Sequence, residues 1–95
     1  NWNDLARVYR EHGRSIQSRD AARARQLLDS ARQAYERALE LRANDPAALL
    51  GLAQTYTFLS RRGEAVDHYE RLVETAPDSP EARLARQHLA QLRGS

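Results

Sequence analysis

Two stretches of this chain carry the same apolar spacing, and that repetition limits the fold more than any other feature. Trp2, Leu5, Ala6 and Tyr9 fall at i, i+3, i+4 and i+7, and Leu49, Leu52, Ala53 and Tyr56 repeat the pattern 47 residues later. Each set is one stripe of a helix. A second stripe follows each: Ala31, Tyr35, Ala38 and Leu39, then Ala65, Tyr69, Leu72 and Val73, offset by 34. The offset extends to polar positions, where Tyr35-Glu36-Arg37 recurs as Tyr69-Glu70-Arg71 and Asp45-Pro46 is matched by Ser79-Pro80. Stripes that return in this way describe helix pairs that build a core by stacking on one another.

Composition agrees. In 95 residues the hydrophobic share is 41% and the charged share 29%, as in one small folded domain. The apolar residues are mostly Ala and Leu, with one Ile, one Phe and one Trp, which excludes an aromatic-rich β-sandwich and favours helices. The net charge is +2, and all 15 basic residues are Arg, so a strongly basic polyanion-binding protein is not indicated. Absence of Cys excludes a disulfide framework, a zinc finger and a thiol nucleophile. No apolar run approaches the roughly 20 residues of a membrane span. The chain starts at Asn1 without a signal-peptide pattern, and the reading expects a domain of a larger chain or a processed fragment, with Gly94-Ser95 as a tail.

The stripes resemble the tetratricopeptide repeat: a large residue, then Leu-Ala, then Tyr, an Ala nine residues on, an aromatic four beyond it and a closing Pro. Residues 46–79 make one 34-residue unit in which Leu49, Leu52, Ala53, Tyr56, Ala65, Tyr69 and Pro77 fit. Leu72 departs, since the family usually has a small residue there. Residues 1–45 make another with Trp2, Leu5, Ala6, Tyr9, Ala31, Tyr35 and Ala38, with Ala43 in place of the Pro. The resemblance implies an all-α fold of two helix-turn-helix repeats, followed by a capping helix over 80–93. It also implies a non-catalytic protein-interaction module, a scaffold or assembly factor that takes a protein or peptide in its concave groove.

Local signals predict helices over 2–17, 19–42, 46–60, 64–76 and 80–93. Asp45-Pro46 and Ser79-Pro80 read as helix starts, Gly63 as the break between the third and fourth helices, and Pro77 as the close of the fourth. In the last helix Arg83, Arg86 and Gln87 stand where Leu49, Leu52 and Ala53 stood. Its apolar stripe is Leu84, Ala85, Leu89 and Leu92, as expected of a cap that ends the array. The first unit is longer than the second: Tyr9 to Ala31 is 22 residues and Tyr56 to Ala65 is nine, so 13 are inserted. Either both helices overrun into a protruding hairpin with Ser18 as a cap, or the first stops at Gly13 and a short loop follows.

No grouping of reactive side chains supports catalysis, and no cofactor or metal site is expected. His12, His68 and His88 fall on different helices, and Glu64 with His68 reads as a solvated i, i+4 pair. The better site is the groove. Sides of the first and third helices left free by the core stripes present Asn3, Arg7 and Arg10, then Leu50, Gln54, Thr57 and Phe58. Leu50 and Phe58 there either contact a ligand or pack on another subunit or the cap. Gly51 is expected to leave room for a ligand backbone. Relatives that clamp a peptide's terminal carboxylate use Lys and Asn on this surface, whereas Asn3, Arg7 and Gly51 stand here, so that clamp is not supported. A second candidate surface is a basic patch of Arg14, Arg19, Arg23 and Arg25, too sparse for nucleic acid to be the expected partner. Self-association through the groove and an anionic partner on the basic hairpin are the alternatives.

Overall fold

The computed structural model describes residues 1–94, and every regular element among them is an α-helix. α1 spans Trp2–Ile16, α2 Ala21–Leu41, α3 Pro46–Phe58, α4 Arg62–Thr75 and α5 Pro80–Gly94. Gly94 thus closes α5 rather than following it, and Ser95 of the expected tail lies outside the described residues.

The helix ends follow from named groups. Asn1 accepts a hydrogen bond from the Asp4 backbone N–H at 2.9 Å, and Ser79 Oγ accepts one from Ala82 N–H at 3.0 Å. Three expected signals act otherwise. The cap of α2 is Asp20, not Ser18: its carboxylate accepts from the Arg23 N–H at 3.1 Å, and an acid also suits the positive end of the helix dipole. Asp45 precedes α3 but makes no capping bond, because its carboxylate accepts from Asn3 Nδ2 at 2.8 Å instead. Gly63 does not break the chain; it lies in the first turn of α4. The break is a Schellman closure in which Arg61 N–H bonds Tyr56 O at 2.8 Å and Ser60 N–H bonds Thr57 O at 3.1 Å. Ser60 supplies the left-handed residue, with φ at 61°.

α1 packs along α2, α2 on α3, α3 along α4 and α4 along α5, while α1 and α5 each also touch α3. Hence α1, α3 and α5 form one layer and α2 and α4 the other. The extents of 36 × 34 × 19 Å fit a slab two helices thick. Its core alternates small and large groups: Ala6, Ala31, Ala48, Ala53, Ala65, Ala82 and Ala85 let the helices approach, and Tyr35, Tyr69, Leu49, Leu52 and Leu72 fill the space between them.

Two apolar expectations fail. Trp2 and Leu5 are 40% and 42% exposed, although their counterparts Leu49 and Leu52 are 0% and 1% exposed. The stripe of α1 is buried only through Ala6, Gly13 and Ile16, because α2 covers α3 and no described helix covers α1 in the same way. On α5, Leu84 is exposed, and the buried stripe is Ala82, Ala85 and Leu89 with Leu92 packed beside it.

α1 runs through Gly13 because the glycine sits at the closest approach of α1 to α2. A Cβ there would lie 3.0 Å from Leu28 Cγ and 3.1 Å from the Ala24 carbonyl oxygen. Ile16, Ala24 and Leu28 bury beside it, so the long hairpin has a small core of its own.

Candidate functional site

Four predicted groove residues line one cavity of about 290 Å3 between α1, α3 and α5: Arg10, Gln54, Thr57 and Phe58. Its remaining walls are Glu11, Arg14, Tyr69 and His88. Arg10 is the fixed point. Only 18% of its side chain is exposed; one guanidinium nitrogen donates to Gln54 Oε1 at 2.7 Å and to the Tyr35 hydroxyl at 3.1 Å. Its second terminal nitrogen lies 3.9 Å from the Glu11 carboxylate. The Tyr35 phenol is pushed above its ordinary range by burial, with the Arg10 charge opposing the shift, so at neutral pH it stays a hydroxyl able to accept this bond.

Phe58 is half-buried, and the Arg14 guanidinium lies 5.6 Å over its ring. Gln17 Nε2 donates to the Phe58 carbonyl at 3.0 Å and ties the end of α1 to the end of α3. On the opposite side the His88 ring stacks on Tyr69 at 5.3 Å between centroids, and the buried Tyr69 phenol is likewise raised by desolvation. Aromatic rings with two guanidiniums, an amide and the Glu11 carboxylate around them suit a short segment that carries apolar side chains and an acid directed to Arg14.

The other predicted groove residues are placed elsewhere. Asn3 is tied to Asp45, and Arg7 is exposed at 3.8 Å from Asp4. Leu50 packs against the core. Gly51 offers no room to a ligand: its open side is filled by Tyr35, whose Cζ would stand 2.1 Å from an added Cβ. The glycine is required by this chain's own ring.

The basic residues of the hairpin separate. Arg14 belongs to the groove, Arg19 and Arg23 border a hollow with His12, and Arg25 lies on another side with Leu59 and Arg61. Glu64 and His68 do not pair through the carboxylate. His68 Nδ1 lies 2.7 Å from the Glu64 carbonyl oxygen, and the Glu64 carboxylate takes both donors of Arg61 at 2.6 Å.

Glu11, Arg14, Tyr69 and His88 are the groove residues that sequence reasoning missed. Two were within reach of the repeat offsets: Glu11 is Phe58 less 47, and His88 is Gln54 plus 34. Arg14 follows Arg10 by four residues and shares its side of α1. Tyr69 belongs to the core stripe, and its ring also lines the cavity. Reading α5 as a polar cap hid the fact that its inner side continues the groove.

The chain matches no curated protein and no solved structure. A family model described as tetratricopeptide repeat matches residues 15–92, from the end of α1 to near the end of α5. With helical hairpins stacked in two layers and most of its length matched, the chain belongs to the tetratricopeptide repeat family, whose members generally mediate protein–protein interactions and are typically non-catalytic.

Proposed function

We propose that this chain is a non-catalytic interaction module that holds a peptide segment of a partner protein in the groove between α1, α3 and α5. In this reading residues 1–45 and 46–79 are two repeats, the first with a lengthened hairpin, and α5 ends the stack while lending His88 to the groove wall. The observation that carries the proposal is the pairing of a fixed, largely buried Arg10 with the half-buried ring of Phe58, over which the Arg14 guanidinium lies. A guanidinium lifted off a ring by a carboxylate gains a forked, charge-assisted contact and uncovers apolar area for the rest of the ligand. The ligand is therefore a segment with an acidic residue next to a Leu or Phe.

Fluorescence anisotropy with a labelled Leu/Asp-rich peptide, and a Leu/Lys-rich peptide of equal length, tests this. The acidic peptide is expected to bind, with affinity falling as salt rises. Arg14→Glu should weaken it by at least tenfold, and Phe58→Ala should weaken it without altering the salt dependence. Equal binding of both peptides, or indifference to both substitutions, would sink the proposal.

A further inference from the structure

The end of the molecule formed by the lengthened hairpin and the α3–α4 turn carries a charge that the net value of the chain hides. Residues 10–25 and 61–64 hold seven of the 15 arginines against Glu11, Asp20 and Glu64, a formal +4, which leaves the rest of the chain at −2. The fold brings the two segments together. Gln17 donates to the Phe58 carbonyl, and Arg25 and Arg61 border one open hollow of about 820 Å3 with Leu59. Arg61 and Arg62 thus join the basic patch only in the folded chain, and the hairpin alone understates it.

Several of these arginines are left free, unlike those elsewhere. Of the eight outside the two segments, seven are held by a carboxylate, a side-chain amide or a backbone carbonyl. Arg19, Arg23, Arg25 and Arg62 are exposed, and their guanidiniums make no ion pair or hydrogen bond among the described residues. Stability does not call for cations there: α2 has no acid in its first turn and carries Arg23 in it, against the positive end of the helix dipole.

We infer that this end of the molecule binds double-stranded nucleic acid through the phosphate backbone, without reading sequence. Its surface chemistry selects that partner. A protein interface needs an apolar centre and a stable membrane contact needs an apolar anchor beside its charges. None of the exposed large hydrophobics among the described residues lies in either segment. Single strands are held by rings on which bases stack. Here the nearby rings of Phe58 and Tyr56 lie under the Arg14 and Arg61 guanidiniums. A duplex backbone requires neither apolar area nor free rings, only cations, and a guanidinium fork matches phosphate oxygens. The free cations also flank the hairpin: Arg19 and Arg23 border a hollow of about 380 Å3 with His12, and Arg25 borders the larger one on another side. They can therefore meet the phosphate rows on both edges of a duplex groove.

Fluorescence anisotropy with two labelled DNA duplexes of unrelated sequence tests this, with a single strand and phosphatidylglycerol vesicles as the competing partners. Both duplexes are expected to bind equally at low salt. The logarithm of affinity should fall with the logarithm of salt at a slope of about −3.6, as for four phosphate contacts at about 0.9 each. Replacing Arg19 and Arg23 together by Ala should reduce that slope by about half and weaken binding at low salt at least tenfold. Arg83→Ala removes an equally free, exposed charge from α5 and should change neither quantity. All these positions are exposed, and far-UV circular dichroism should stay unchanged in each variant. Absence of duplex binding at low salt would overturn the inference. So would a loss in Arg83→Ala equal to that of the double variant, since overall charge alone would then be acting. Tighter binding of the single strand, or capture by the vesicles without duplex binding, would give the surface to another partner and equally overturn it.

Discussion

At the scale of single residues, the constraint that composition hides most is Gly51. A glycine in the middle of a helix costs about 1 kcal/mol relative to Ala, so its presence in α3 needs a reason. Tyr35 is that reason: its ring from α2 occupies the space of the missing side chain, and its hydroxyl holds Arg10 in the groove. Gly51→Ala should therefore destabilise the protein by about 1–3 kcal/mol despite the gain in helix propensity, because a buried ring has to be moved. It should also weaken groove binding. Urea unfolding and peptide anisotropy on the same variant check both, and an unchanged midpoint would show that Tyr35 has somewhere else to go. The sequence made Tyr35 a core residue through its place in the second stripe. It did not show Tyr35 lying against Gly51, because contacts between stripes depend on how the helices cross.

Among the elements, period and type were legible and several ends were not. Stripes at i, i+3, i+4 and i+7 placed all five helices within a few residues, since burial of one side is what stabilises a short helix. End signals were ambiguous wherever two residues could serve. Asp20 caps α2 where Ser18 was expected, and Ser60 takes the left-handed position where Gly63 stood ready. The exposure of Trp2 and Leu5 was illegible for a different reason: a stripe states what a helix can bury, and a neighbour decides whether it does. The lengthened hairpin gives a test at this scale. Ile16, Ala24, Gly13 and Leu28 pack mainly within it, and Gln17 provides a tie to α3. Deleting residues 12–24 returns the Tyr9–Ala31 spacing to the nine residues found between Tyr56 and Ala65. The shortened chain should keep its helical circular dichroism spectrum and a cooperative melt, and should lose the groove affinity that depends on Arg14. Loss of the cooperative melt would mean that the hairpin supports the second layer rather than decorating the first.

For the whole molecule, the buried tyrosines tie stability to alkaline pH. Burial raises the phenols of Tyr35, Tyr56 and Tyr69 above the ordinary value of 10.0, because the low-dielectric core disfavours a phenolate. Once the pH passes about 10, these side chains lose protons in the unfolded chain while the folded chain still holds them, so the unfolded state binds fewer protons. Stability is accordingly kept below that pH and lost as pH rises through the folded-state values. The three rings lie in different places, Tyr35 between α2 and α3, Tyr56 near His68 and Tyr69 against His88, so their ionisation loosens both layers together. Thermal melts between pH 9 and 11 should show one cooperative transition whose midpoint falls steeply above pH 10. Tyr35→Phe should make that fall shallower, at a cost of about 0.5–1.5 kcal/mol at neutral pH for the lost acceptor of Arg10. A midpoint that stays level to pH 11, or a slope that Tyr35→Phe leaves untouched, would show that the phenols reach water in the folded state and that the helices are looser than their packing implies.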